Sequence, residues 1–149
     1  MKCLDCGGTY VKKHGDIELT DKYIGNFVVR DVSYYKCDGC EEYLFSPETS
    51  KVIEDRRNQE LENLIRSQPL SAFISGSETA AILGITRQAL HKHRRIRRGF
   101  IFQTQFGGKT VYLKNSVDLF KKTGDGRYPL KEQEKIHYIK TQVMGSKVS

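Results

Sequence analysis

The residues with the most definite chemistry are four cysteines, arranged as Cys3-Leu4-Asp5-Cys6 and Cys37-Asp38-Gly39-Cys40 with residues 7–36 between the pairs. A C-x2-C turn aims two thiolates at one centre about 2.3 Å away, and a second such turn completes the tetrahedron that zinc accepts. Gly7, Gly8 and Gly39 suggest tight turns, since glycine tolerates positive φ. Disulfides are the first alternative; reducing surroundings and partners only three positions apart argue against them. A redox dithiol would need one pair in a βαβ setting, and iron in a rubredoxin-like site would use the same four thiolates. The set Cys3, Cys6, Cys37 and Cys40 is therefore expected to hold one zinc ion. Four thiolates leave no open coordination position, so the ion would be structural and not hydrolytic. Its binding, worth about 10–16 kcal/mol in small modules, would fold a segment too short for a large core.

A second set of residues has the chemistry of polyanion binding. Between Thr86 and Gly99 there is no acidic residue, and the stretch carries Arg87, Gln88, His91, Lys92, Arg94, Arg95, Arg97 and Arg98. Arginine bonds bidentately to guanine and glutamine to adenine, while a flexible arginine cluster meets phosphates. Of the formal net charge of +7, the second half supplies all: residues 70–149 hold 15 Lys/Arg against 5 Asp/Glu, whereas residues 1–69 hold 10 against 13. Only the second half suits a nucleic acid; the acidic first half suits a protein partner. His91 and His93 lack a carboxylate cluster, so they read as surface or phosphate contacts, not as ligands or bases.

The elements that must position these residues follow from local pattern. At 149 residues and 38% hydrophobic content, two small modules fit better than one large core. Between the cysteine pairs, Tyr10-Val11, Ile17-Glu18-Leu19, Tyr23-Ile24, Phe27-Val28-Val29 and Val32-Ser33-Tyr34-Tyr35, interrupted by Gly15 and Gly25-Asn26, predict short antiparallel strands in an inserted hairpin. Ser46-Pro47-Glu48 opens a helix expected to run from Pro47 to about Arg66 and to stop at Gln68-Pro69. Its charged middle, Glu54-Asp55-Arg56-Arg57, marks it as an exposed connector.

From Ser75 to Lys92 the pattern is that of a helix-turn-helix. Ser75 with Glu78 reads as a capping box, Gly84 as the sharp turn, and Thr86 as the cap of the second helix. Ala80 permits close helix approach, and Leu83, Ile85 and Leu90 fill the wedge. With Ile85, Ala89 and Leu90 inward, Arg87, Gln88, His91, Lys92 and Arg95 would face out. Phe100 to Phe106 and Lys109 to Leu113 flank Gly107-Gly108, a two-residue hairpin signal, which predicts a β-wing whose Gln103, Gln105 and Lys109 face solvent. Asn115 or Ser116 would cap a short helix through Phe120, and an amphipathic stretch with Leu130, Ile136, Ile139, Val143 and Met144 would form a helical tail. The expected architecture is α+β: a zinc-bound β-rich domain over 1–46, a connecting helix over 47–69, a winged helix-turn-helix over 70–128 and a tail over 129–149.

On these motifs the first half, with Cys3, Cys6, Cys37, Cys40 and Glu41-Glu42 after the last cysteine, resembles the YgiT-type zinc finger of MqsA-family antitoxins over roughly residues 1–67. The resemblance implies zinc on those four cysteines, a ribonuclease toxin as the partner of the first half, and a dimeric repressor of the operon promoter. The second half departs from that family's all-helical Xre-type bundle and is similar to the MerR or excisionase type. No recognition residue is carried over from either. The DNA-contacting set is instead read from this chain as Thr86, Arg87, Gln88, His91, Lys92, Arg94, Arg95, Arg97, Arg98 and Lys109.

The function expected is that of a zinc-containing DNA-binding repressor and antitoxin, acting as a homodimer on double-stranded operator DNA. A stand-alone or phage-type regulator without a toxin would show the same residues. A zinc-ribbon RNA-binding protein would display exposed aromatics among the basic residues, whereas the alternation of Phe100, Phe102 and Phe106 reads as core. No nucleophile, base and orienting group come together in sequence, so no enzyme is expected. No apolar run follows Met1-Lys2 or reaches the roughly 18 residues of a membrane span, which predicts a cytoplasmic protein without membrane contact.

Overall fold

The computed structural model describes residues 1–130. Among them the chain is mixed α+β, with two three-stranded antiparallel sheets and helices α1 to α5. It forms two compact units, residues 1–21 with 26–60 and residues 22–25 with 61 onward, so the division falls inside the long helix after Glu60. The residues expected to form a tail over 131–149, including Ile136, Ile139, Val143 and Met144, lie outside the described residues.

The first sheet has the order β1-β2-β3, with β1 Tyr10–Asp21, β2 Gly25–Cys37 and β3 Tyr43–Leu44. Its first two strands are long, not the short ones that the glycines suggest. Gly15 stays inside β1 at φ +150°, an extended form that only glycine adopts with ease, so it continues the strand. On β2 the buried face runs Phe27, Val29 and then Val32, with Arg30 and Asp31 both exposed between them. Asp31 at φ +55° absorbs the extra residue, as in a bulge, and keeps the apolar face inward. Helix α1, Pro47–Arg66, starts where expected because Ser46 Oγ accepts the Thr49 amide at 3.1 Å. Its charged middle is engaged within the first unit: Arg57 Nε donates to Asp21 at 2.6 Å, and Arg56 pairs with Glu60 at 3.2 Å.

The second unit places β4 Phe73–Ser75, α2 Gly76–Leu83, α3 Arg87–Lys92, α4 Arg94–Arg97, β5 Gln103–Phe106, β6 Lys109–Leu113 and α5 Lys114–Thr123 around two apolar clusters. Ala80, Leu90, Ile96, Ile101, Tyr112 and Val117 form one, under α2 to α5. Ile65, Phe102, Leu113 and Leu130 form the other, joined by Leu61, Leu64 and Tyr23. The sheet order is β4-β6-β5, with Phe73 opposite Leu113 and Gln103 opposite Tyr112. The turn between β5 and β6 has positive φ at both Gly107 and Gly108, the conformation whose twist suits a two-residue hairpin.

The structure corrects several local expectations. Strand β4 has no counterpart in the sequence pattern, because three residues ahead of a helix carry no periodicity. The strand expected from Phe100 begins at Gln103, since Ile101 and Phe102 are both buried in the apolar clusters. Neither Asn115 nor Ser116 caps α5, which follows β6 directly and ends at Thr123, before Gly124. Ser116 is fully buried inside the helix instead. Its hydroxyl accepts the Phe102 amide at 2.8 Å and donates to Gly126 O at 2.7 Å, stitching the loop after α5 to the segment before β5.

Candidate metal centre and basic surface

The four cysteines converge. Cys3 and Cys6 sit in a turn closed by Cys3 N–H to Gly8 O at 2.7 Å and Gly7 N–H to Cys3 O at 2.9 Å. Cys37 ends β2 and Cys40 lies in the turn to β3, held by Cys37 N–H to Glu42 O at 2.8 Å. Two bonds lock the turns together: Asp38 N–H to Thr9 O at 3.0 Å and Thr9 N–H to Asp38 Oδ1 at 2.9 Å. All four Sγ atoms lie within 4.8 Å of one another, with Cys3 to Cys40 at 3.6 Å and Cys6 to Cys37 at 3.4 Å. Sulfurs about 2.3 Å from a shared ion stand about 3.8 Å apart in a tetrahedron, so the spacing fits a metal centre. No disulfide joins them.

Backbone donors and glycine spacing complete the site's chemistry. Gly8 N–H points to Cys6 Sγ at 3.3 Å and Gly39 N–H to Cys37 Sγ at 3.4 Å, which stabilises thiolates. The reason for glycine differs from the expected one at both positions, as neither has positive φ. A Cβ on Gly8 would stand 2.8 Å from Asp38 Oδ1 and 2.9 Å from Cys37 Sγ, and one on Gly39 would stand 2.9 Å from Cys6 Sγ. These glycines make room for the sulfurs.

The thiols of Cys3 and Cys40 are pushed in opposite directions. The Cys6 and Asp5 backbone amides, with the Tyr10 hydroxyl, lower the Cys3 thiol to about 6. At Cys40 the Glu42 amide pulls the other way, yet the Cys6 thiol, desolvation and the thiols of Cys3 and Cys37 push it up to about 12. Tyr10 is pushed up to about 12 by its bond to Cys3. A bound dication removes this conflict by neutralising charge that the thiols otherwise impose on one another.

The basic residues expected to face DNA lie on α3 and α4, at Arg98 directly after α4, and at Lys109 where β6 begins. Arg87, Gln88, His91, Lys92, Arg94, Arg97, Arg98 and Lys109 are exposed. Gly84 ends α2 at φ +70° and Thr86 Oγ1 accepts the Ala89 amide at 3.0 Å, so Thr86 serves as the expected α3 cap. Arg95 is exposed but engaged: Nη1 donates to Gly124 O at 3.3 Å, and its guanidinium lies over Phe100.

Three details differ from the sequence reading of this face. Ala89 is exposed, not inward, because α3 is one short helix with Leu90 as its buried residue. His93 is half-buried; its Nδ1 accepts the Ile96 amide at 3.4 Å and its ring meets Phe120 edge-on, so it caps α4 instead of forming a surface contact. Of the phenylalanines, Phe102 is core and Phe100 lies half-buried under Arg127, but Phe106 stays exposed beside Phe73 and Arg66.

Among the described arginines, charge pairing separates this face from the rest. Every arginine outside α3, α4 and the residue that follows them holds a carboxylate: Arg30 with Asp16, Arg56 with Glu60, Arg57 with Asp21, Arg66 with Glu62 and Arg127 with Asp125. Among the described residues Arg87, Arg94, Arg95, Arg97 and Arg98 have no carboxylate within ion-pair distance. No described helix is long and apolar enough to cross a membrane. No family model, curated protein or solved structure matches the chain.

Proposed function

We propose that the protein is a DNA-binding transcriptional regulator, a repressor and antitoxin of a type II toxin–antitoxin pair, with one structural zinc ion on Cys3, Cys6, Cys37 and Cys40. The observation that carries the DNA reading is the set of arginines on and beside α3 and α4 that face no carboxylate. Arginines kept free of carboxylates, while every other arginine in the described chain is neutralised, form a standing positive surface that a polyanion would neutralise. In this reading α2 and α3 are a helix-turn-helix with β5 and β6 as its wing. Arg87 and Gln88 meet base edges, Arg94, Arg97, Arg98 and Lys109 meet phosphates, and Thr86 and Arg95 position the others.

The closed four-thiolate set supports a structural metal, and zinc is the ion whose geometry such sulfurs suit without redox chemistry. The antitoxin part rests on the resemblance of residues 1–67 to the YgiT-type zinc finger. Selecting bound duplexes from a random pool with the full-length chain tests DNA recognition. Arg87→Ala should then cost about 1–3 kcal/mol on the selected site and little on random DNA; equal losses on both would make Arg87 a phosphate contact. Capture of a stoichiometric small basic protein from the host after nuclease treatment, abolished on deleting residues 1–67, would support the toxin partner. Its absence with DNA binding intact would leave a stand-alone regulator.

A further inference from the structure

Strand β1 is the edge of its sheet, with β2 as its strand neighbour. Met1 and Lys2 cover only its beginning, through Tyr10 N–H to Met1 O and the Lys2–Thr9 bridge. Over residues 11–19 its outer side meets no other backbone among the described residues. An open edge of this length is a template for another strand, and the charges along it indicate which strand fits.

Lys12, His14, Asp16 and Glu18 alternate on one face of β1 and all are exposed, while Val11, Ile17 and Leu19 share the other. The charged face is basic at its start and acidic at its end, so it complements a second copy of itself laid antiparallel. A two-fold axis normal to the sheet keeps like faces together and therefore pairs residues of equal parity. With the axis at Gly15, Lys12 meets Glu18 of the second copy, His14 meets Asp16 and Val11 meets Leu19, while Gly15 puts no side chain on the axis. Moving the axis to Asp16 sets Asp16 against Asp16, like charges directly opposite, which is destabilising. Moving it to His14 takes Lys12 away from Glu18 and Val11 away from Leu19, so the axis at Gly15 is the register that satisfies both pairs.

Two further facts favour this occupant. Lys12 and Glu18 have no ion-pair partner of their own among the described residues, whereas His14 and Asp16 already hold Asp31 and Arg30 of β2. Val11 is a large apolar side chain 45% exposed, and Leu19 opposite would cover it. We propose that β1 pairs antiparallel with β1 of a second copy about Gly15, giving one continuous sheet of order β3-β2-β1-β1-β2-β3. This interface goes beyond the proposed function, since it forms with or without DNA.

Sedimentation equilibrium of the full-length chain without DNA tests it, together with zero-length carbodiimide coupling of a mixture of 14N and 15N protein. The result expected is a dimer that yields Lys12–Glu18 amides in peptides of mixed isotope. K12E and E18K should each weaken the dimer about ten-fold by setting like charges opposite at both symmetry-related positions, and the double variant K12E/E18K should restore it. Both positions are exposed, and far-UV circular dichroism verifies that each variant is folded. A monomeric wild type, a dimer indifferent to both single reversals, a double variant that stays weak, or coupling confined to single-isotope peptides would each overturn the proposal. DNA binding measured on the same samples is a separate readout, so the two proposals fail independently.

Discussion

At the scale of single residues, the cysteine set was legible because metal geometry imposes a spacing that survives any detail of the fold. What the sequence did not reveal is why Gly8 and Gly39 are there, since a close approach of sulfur leaves no mark on local pattern. Cys37→Ser should remove the metal and unfold the first unit, seen as loss of bound zinc by elemental analysis and of sheet signal by circular dichroism. Gly8→Ala retains every ligand yet drives a Cβ to 2.9 Å from Cys37 Sγ, so it should weaken zinc at least about ten-fold in chelator competition. An unchanged affinity would mean that the turn moves freely.

Asp125 offers a pH-dependent case in the second unit. The Arg127 guanidinium and amide hold its carboxyl below the ordinary value of 3.8. A depressed folded-state value means the pair stabilises the fold above the unfolded carboxyl's range, and that contribution fades as pH falls through the folded value. Asp125→Asn should therefore lower the thermal midpoint at neutral pH, with the gap to wild type closing in strong acid. A gap that is constant with pH would assign the effect to packing.

At the scale of elements, α1, α2 and the Gly107-Gly108 hairpin could be read ahead of the structure because each carries a cap or turn residue with one physical meaning. Ser46, Ser75, Gly84 and Thr86 all act in the roles their types suggest. The elements that escaped are those fixed by tertiary partners. Three residues of β4 are a strand only because β6 lies alongside, and the bulge at Asp31 is visible only once Val29 and Val32 must share a face. The role of Ser116 was hidden for the same reason: serine near a helix start suggests a cap, but its hydroxyl bridges two distant backbone groups. Ser116→Ala leaves the Phe102 amide and Gly126 carbonyl without that partner in a buried place, which should cost about 1–3 kcal/mol in denaturant unfolding. A loss near zero would indicate that water replaces the hydroxyl.

At the scale of the whole molecule, charge asymmetry between the halves was the most readable feature, yet net charge alone does not separate a solvated face from a binding one. The pairing pattern adds a distinction that net charge does not hold: Arg56 and Arg57 are neutralised within the first unit, and Arg94, Arg97 and Arg98 are not neutralised among the described residues. That distinction depends on which side chains come together across the fold, so it is invisible in the sequence. The long edge of β1 was likewise hidden, because glycine inside an apolar pattern suggests two short strands where one continuous strand forms. The central claim, that α3 and α4 hold a nucleic-acid backbone, is tested most directly by the salt dependence of duplex binding. The logarithm of the association constant should fall linearly with that of salt, and replacing Arg94, Arg97 and Arg98 together by alanine should flatten the slope by about 0.9 for each phosphate no longer neutralised. Arg56→Ala should leave the slope unchanged. A slope that the triple variant does not alter, or a full-length chain that binds no duplex at low salt, would contradict that claim.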